Sequence, residues 1–200
     1  MLFRSPGGDP AEGLHGDDSP AAEIIGELPH DVGLGETLLD IAVPPGGGGA
    51  GMVIRVIGRS LQQVALALTQ IRRVLGDRAQ IFGGLGGAHF LEELGRGADG
   101  TMTGFAFSEV LVAIYRRFVA GDAKQARVIF ERYLPLIRYE AQPGIGLSLR
   151  KEILRRRGAI RTSVLRPPAQ PLDRETLAEL DATLAAVDAA GRESPAVMIR

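Results

Sequence analysis

The spacing of hydrophobic and polar positions changes character at Met52. From there "MVIRVI" (52–57) is a short, β-branched run and predicts a strand. "SLQQVALALTQIRRVL" (60–75) follows, with Val64, Leu68, Ile71 and Leu75 at helical spacing, Ser60 placed to cap the start and Gly76 to end it. "RAQIF" (78–82) predicts a second strand, "AHFLEELGRG" (88–97) a short helix and "GTMTGF" (100–105) a third strand. Ser108 is placed to cap a helix over "EVLVAIYRRFVA" (109–120). Strand and helix therefore alternate, which argues for a parallel sheet with helical crossovers.

Beyond residue 120 the strand signals stop. Asp122 caps a long helix to about Glu140 whose apolar stripe is Ala126, Ile129, Phe130, Tyr133, Leu136 and Ile137. "PGIG" (143–146) breaks it, and "LSLRKEILRRRG" (147–158) predicts another helix closed by Gly158. After the stiff connector "RPPAQP" (166–171), Asp173 caps a last helix with Leu177, Leu180, Leu184 and Val187 facing inward.

Upstream of Met52 the pattern has no such order. Residues 1–51 are rich in glycine, proline and acid and end in "VPPGGGGAGM" (43–52). Four consecutive glycines lose much backbone entropy on ordering, and the apolar groups Ile24, Ile25, Leu38, Leu39 and Ile41 are scattered. The expected organisation is a poorly structured segment 1–51, an α/β unit 52–120 in the order βαβαβα, and an all-helical unit 121–200.

Composition narrows the chemistry. The 200 residues carry a net charge of −1, which argues against a nucleic-acid footprint. There is no cysteine, which removes disulfides and thiolate catalysis and fits a cytoplasmic home. No apolar run is long enough to span a bilayer, and the N-terminus lacks a charged-then-apolar signal pattern. Of 23 basic residues only Lys124 and Lys151 are lysines, so amines are scarce. His15 and His30 have acidic neighbours, but no ligand pair has metal-site spacing, and no metal is expected.

The glycine-rich stretch "FGGLGGAHFLEELGRGADGTMTGF" (82–105) raises the question of a phosphate cradle. A dinucleotide fingerprint needs G-x-G-x-x-G/A; Gly84 and Gly86 supply two positions, but His89 stands at the third. A P-loop needs Gly-Lys-Ser/Thr, which is absent. The plainer readings are a tight strand-to-helix turn at Gly83, Gly84, Gly86 and Gly87, or a pocket wall at strand C-terminal ends, where α/β barrels hold their sites.

The stretch from Gly83 to Ile137, with "GADG" before a short strand and "AGDAKQAR" (120–127) opening a long helix, resembles the C-terminal half of the dihydrodipicolinate synthase / N-acetylneuraminate lyase family. "QPGIGLSLRKEILRRRG" (142–158) and "LRPPAQPL" (165–172) fit as well. The likeness runs from about Asp77 to Val187 and extends back to Met52, and it is to the branch carrying "GGLGG" and "GTMTGF". It implies a (β/α)8 TIM barrel with a helical C-terminal extension, assembled as a homo-oligomer. Residues 52–120 would be the last three βα units and 121–200 the extension. A full barrel takes about 250 residues, so the chain is expected to be a family member without the first half.

The resemblance also implies chemistry. Family enzymes use a lysine at the end of the sixth strand to form a Schiff base with a 2-keto acid, a tyrosine to relay protons, and no cofactor. The lysine position falls on or beside Arg59, and no lysine precedes Lys124; "VGLGET" (32–37) echoes its neighbourhood but also lacks lysine. A guanidinium stays protonated and is no amine nucleophile. Gly83, Gly84 and Leu85 match the turn beside that lysine, and Thr101, Met102 and Thr103 match the strand whose backbone borders the substrate. Leu85 and Gly86 stand where relatives often carry an acidic pair, so specificity does not transfer.

The remaining candidates have structural readings. Tyr115, Tyr133 and Tyr139 lie on late helices and read as packing tyrosines. His89 beside Glu92 or Glu93 has the residues of a base with an orienting partner, or is a capping or surface histidine. Glu92 and Glu93 are adjacent and point apart on a helix. Arg155–Arg157 with Arg150 and Lys151 reads as a solvated basic face near a helix C-terminus. The expected function is an inactive fragment of a Schiff-base lyase; the alternatives are a helical oligomerisation module and a small nucleotide-binding domain.

Overall fold

The structure, a computed structural model, describes residues 38–42, 52–57 and 61–193, with side chains described for 64–190. The strands are β1 (Leu38–Ala42), β2 (Met52–Ile57), β3 (Ala79–Gly83) and β4 (Gly100–Thr101). The helices are α1 (Leu61–Leu75), α2 (Phe90–Gly95), α3 (Ser108–Val119), α4 (Ala123–Glu140), α5 (Gly146–Arg156) and α6 (Arg174–Glu193).

The four strands form one sheet in sequence order. β2, β3 and β4 are parallel and joined by α1 and α2, as the alternation of strand and helix requires. β1 adds an antiparallel edge, with Leu38 opposite Ile57 and Ala42 opposite Val53. This strand lies within the segment expected to lack structure. Its five residues are too few to signal a strand alone, and the backbone partner that defines it lies ten or more residues away on β2. The rest of 1–51 lies outside the described residues.

The helical stripes bury as their spacing dictates. Val64, Leu68, Ile71 and Leu75 of α1 are all buried and pack with Ala79 and Ile81 of β3. Each such burial contributes about 1.5–3 kcal/mol. Gly76 follows at φ +53, the left-handed conformation that ends a helix cheaply. A second cluster joins α2, α3, α4, α5 and α6 through Phe90, Ile114, Phe130, Ile137, Leu149 and Leu180. On α6, Leu180 and Val187 are buried while Leu177 and Leu184 are half-buried.

Of the four expected caps, Ser60 lies outside the described residues, two form and one does not. Asp122 Oδ1 accepts the Gln125 amide at 3.2 Å, and Asp173 Oδ1 accepts the Thr176 amide at 2.7 Å. Ser108 is instead the first residue of α3, one position too far in to cap it; the N-cap is Phe107, with no side-chain bond. β4 is also shorter than the run 100–105, because β3 turns away after Gly83 and leaves little backbone to pair with.

Candidate active site

The site sits where β3 and β4 end. Gly83 pairs with Thr101 in the parallel register, and the Met102 amide donates to the Gly83 carbonyl at 2.9 Å. Register partners in a parallel pair project their side chains to the same face. On one face, a Cβ on Gly100 would fall 2.9 Å from Cε1 of Phe82, so that ring covers Gly100. On the opposite face, a Cβ on Gly83 would fall 1.8 Å from Glu93 Oε2. The β3 terminus therefore requires glycine because a carboxylate from α2 occupies the side-chain space.

After Gly84 the chain makes a left-handed turn. Leu85, Gly86 and Gly87 have φ of +50, +70 and +85. The Gly87 amide donates to Gly84 O at 2.9 Å and the Ala88 amide to Leu85 O at 3.2 Å. A phosphate cradle needs such amides free and pointing inward; these two are used within the turn. Leu85 and Met102 stand exposed at the rim.

Glu93 is the most enclosed polar group here, 1% exposed. Burial pushes its carboxyl up to about 7; the Gly84 backbone amide, hydrogen-bonded to it, opposes that shift, and the charge of Glu92 adds to it. Glu93 Oε2, Thr101 Oγ1 and Thr103 Oγ1 are buried without a hydrogen-bond partner. Thr101 shares the face on which the Glu93 carboxylate sits, and Thr103 Cγ2 lies 4.0 Å from where a Cβ on Gly87 would be. The threonine side chains thus turn toward the helical layer, leaving backbone and Met102 at the rim.

Two ion pairs fix this corner. Asp99 Oδ2 accepts the Ile81 amide at 2.7 Å and Arg72 Nη2 at 2.6 Å, while Arg72 also donates to the carbonyls of Gly97, Gly76 and Ala79. The acid of "GADG" thereby locks β3 to the start of β4. Below, Glu140 Oε2 accepts the Ala106 amide at 3.0 Å and Oε1 accepts Arg150 Nε at 2.6 Å. The roles of these four residues at the site are not legible in the sequence, since each partner is distant along the chain.

The other candidates fall elsewhere. Arg59, His15 and His30 lie outside the described residues. Lys151, on α5, donates from Nζ to the Val164 carbonyl. Lys124 borders a cleft of about 580 Å³ with Ala65, Leu91, Gly95, Arg96 and Phe118, at the far end of α2 from the glycine turn. A second cleft of about 670 Å³ lies in the extension, beside Ser148, Glu152, Ser163 and Leu177. Neither is lined by the glycine turn or β4. His89 immediately precedes α2 and makes no capping bond. Tyr133 and Tyr139 are half-buried; the Tyr139 hydroxyl donates to Glu179 at 2.9 Å, and it is pushed up to about 12, by desolvation first and then by that bond. Tyr115 is exposed. The arginine cluster is no free solvated face: Arg155 and Arg156 clasp Glu152, and Arg157 bonds Ala106 O and Glu109 with its guanidinium 4.2 Å from the Phe107 ring centre. Those arginines hold the Glu152 carboxyl down at about 2.

The model of the dihydrodipicolinate synthetase family matches residues 59–187, which contain the whole of this corner. The chain belongs to that family. A dihydrodipicolinate synthase from Rhodopseudomonas palustris is 37% identical, with a TM-score of 0.58 over 63% of this chain and 42% of that one. A 4-hydroxy-tetrahydrodipicolinate synthase from Methylacidiphilum fumariolicum is 24% identical, with a TM-score of 0.58 over 68% of this chain and 44% of that one. A family member from an E. coli K12 prophage, solved in complex with pyruvate, is 21% identical, with a TM-score of 0.57 over 66% of this chain and 44% of that one. No curated protein matches the chain. The chain therefore spans less than half the length of these relatives. Among the described residues no helix is long and apolar enough to cross a membrane, and no group of three or more His, Asp or Glu could hold a metal ion.

Proposed function

We propose that the chain carries the late part of a Schiff-base-forming lyase of 2-keto acids, with 52–120 as the last three βα units of a (β/α)8 barrel and 121–200 as its helical extension. The supporting observation is the corner itself. Gly83, Gly84 and Leu85 at the end of β3 and just beyond it, and Thr101, Met102 and Thr103 at the end of β4 and just beyond it, lie at the C-terminal ends of parallel strands, where barrels of this type hold substrate. In this reading the backbone of the two strand ends borders the keto acid, and the threonine hydroxyls support it from behind.

The carbon chemistry would begin when a neutral amine adds to the C2 carbonyl; loss of water then leaves an imine that accepts the electron pair of the breaking C–C bond. This chain offers no amine there. What supports this is that Lys124 borders the cleft beside α2, Lys151 donates to the Val164 carbonyl, and an arginine, as at position 59, is no amine nucleophile. The chain by itself therefore forms no imine. The test is borohydride treatment with pyruvate, read by intact mass: an unchanged mass is expected, and a covalent adduct on this polypeptide overturns the claim of inactivity.

A second reading is a non-catalytic assembly module, favoured by Val112, Tyr115 and Val119, which lie at i, i+3 and i+7 on α3 and are exposed. It requires a defined oligomer by size-exclusion chromatography, with helical circular dichroism; an aggregating chain excludes it.

A further inference from the structure

The residue that stands out is Glu93. The proton-transfer and Schiff-base chemistry above does not use it, yet it is the acid that the end of β3 is built around. We infer that Glu93 is the positioning residue of the glycine turn: its carboxylate fills the space beneath Gly83 and so sets where the Gly84–Leu85 peptide stands at the rim. This rests on the reading of that rim as the substrate-bordering wall.

The argument is one of enclosure. Gly83 is held from two directions, by the Met102 amide on its carbonyl and by the Glu93 carboxylate against its Cα. A shift of the carboxylate moves Gly83 and Gly84 together, because no side chain lies between to absorb it. Glu93 is itself fixed: it lies in α2 between buried Leu91 and Leu94, and its own carbonyl accepts the amides of Arg96 and Ala98. Its Oε2 has no partner. The charged form thus relies on the Gly84 amide, and the neutral form presents a hydroxyl to the same spot.

The elements packed against it carry further titratable groups. On α2 and its approach these are Glu92 and His89. On the loop before β4, Asp99 is held by Arg72 of α1. On α3, Glu109 pairs with Arg157, and on α4, Glu140 pairs with Arg150. β3 and β4 contribute no titratable side chain. His89 is the ionisable side chain immediately before α2, so the test must separate its contribution from that of Glu93.

The experiment is a pH series of amide spectra on the full chain labelled with ¹⁵N-glycine, for the native protein, E93Q and H89Q. The native Gly83, Gly84 and Gly87 amides should shift together with one midpoint near 7, where the carboxyl titrates. E93Q should abolish the shift while keeping the turn folded, and H89Q should leave it in place. Persistence of the shift in E93Q, or its loss in H89Q, or glycine amides that do not titrate in the native chain, overturns the inference. The reading of the turn is independent of imine formation, so an adduct in the borohydride experiment would refute inactivity and leave this result standing.

Discussion

Arg150 Nε lies 2.6 Å from Oε1 of Glu140, a carboxylate only 2% exposed, and the guanidinium covers Gly104 so closely that a Cβ there would fall 2.3 Å from Nη1. The pair fastens the segment leaving β4 to the helices of the extension, since the other carboxylate oxygen holds the Ala106 amide. Burial raises the Glu140 carboxyl above its ordinary value, even though Arg150 and the Ala106 amide oppose that.

Removing one partner of this pair should cost more than removing both charges. Arg150→Met leaves a buried carboxylate and should destabilise by about 3 kcal/mol, at the low end for such pairs because the arginine is partly exposed. Glu140→Gln with Arg150→Met keeps an acceptor for the Ala106 amide and should recover part of that loss. Urea unfolding of the single and double variants checks this; a double variant no better than Arg150→Met alone would mean that packing of the guanidinium over Gly104, and not charge, is the dominant contribution.

Two buried acids should impose opposite pH dependences. Glu93 rises to about 7 in the fold from an ordinary 4.5, so the unfolded chain gives up the proton first as pH rises. Its contribution is unfavourable above 4.5 and worsens until about 7, by about 3 kcal/mol from the size of the shift. Glu152 falls to about 2, so its contribution is present above 4.5 and lost as pH falls toward 2. Urea midpoints should decline from pH 5 to 7 in the native chain and decline clearly less in Glu93→Gln, where the raised Glu140 carboxyl remains. A native profile that is already flat would contradict the burial of a carboxyl beneath Gly83.

The extent to which the sequence foretold this corner follows from the range of each interaction. The stripe Val64, Leu68, Ile71 and Leu75 was legible because helical burial repeats within a few residues. The glycine turn was legible as a turn because left-handed φ selects glycine locally. Leu85 is the exception: it takes φ +50 although it has a Cβ. Glu93, Asp99 and Glu140 were not legible, because what makes each of them matter is a backbone amide or an arginine 9 to 34 residues away. β1 is not legible for the same reason: its partner edge is supplied by β2.

The Arg72–Asp99 clamp should behave as one unit. Asp99→Ala removes the acceptor of the Ile81 amide and the anchor of Arg72, at a cost of about 2 kcal/mol. Adding Arg72→Ala to it should cost less than Arg72→Ala alone, with a coupling of about 1 kcal/mol, because both changes break the same contacts. A double-mutant cycle by urea unfolding reads the coupling directly, and strict additivity would show that the arginine acts only through the carbonyls of Gly97, Gly76 and Ala79.

Leu85 offers a stabilising change. Its backbone sits at φ +50, where a branched side chain meets its own carbonyl and the strain is about 1–3 kcal/mol. The side chain is 40% exposed, so little packing offsets that strain. Asparagine tolerates this conformation better than leucine. Leu85→Asn should therefore raise the urea midpoint, by about 1 kcal/mol in stability, with the Gly87 and Ala88 amide bonds kept. A lower midpoint would mean that contacts of the leucine side chain outweigh the backbone strain at this position.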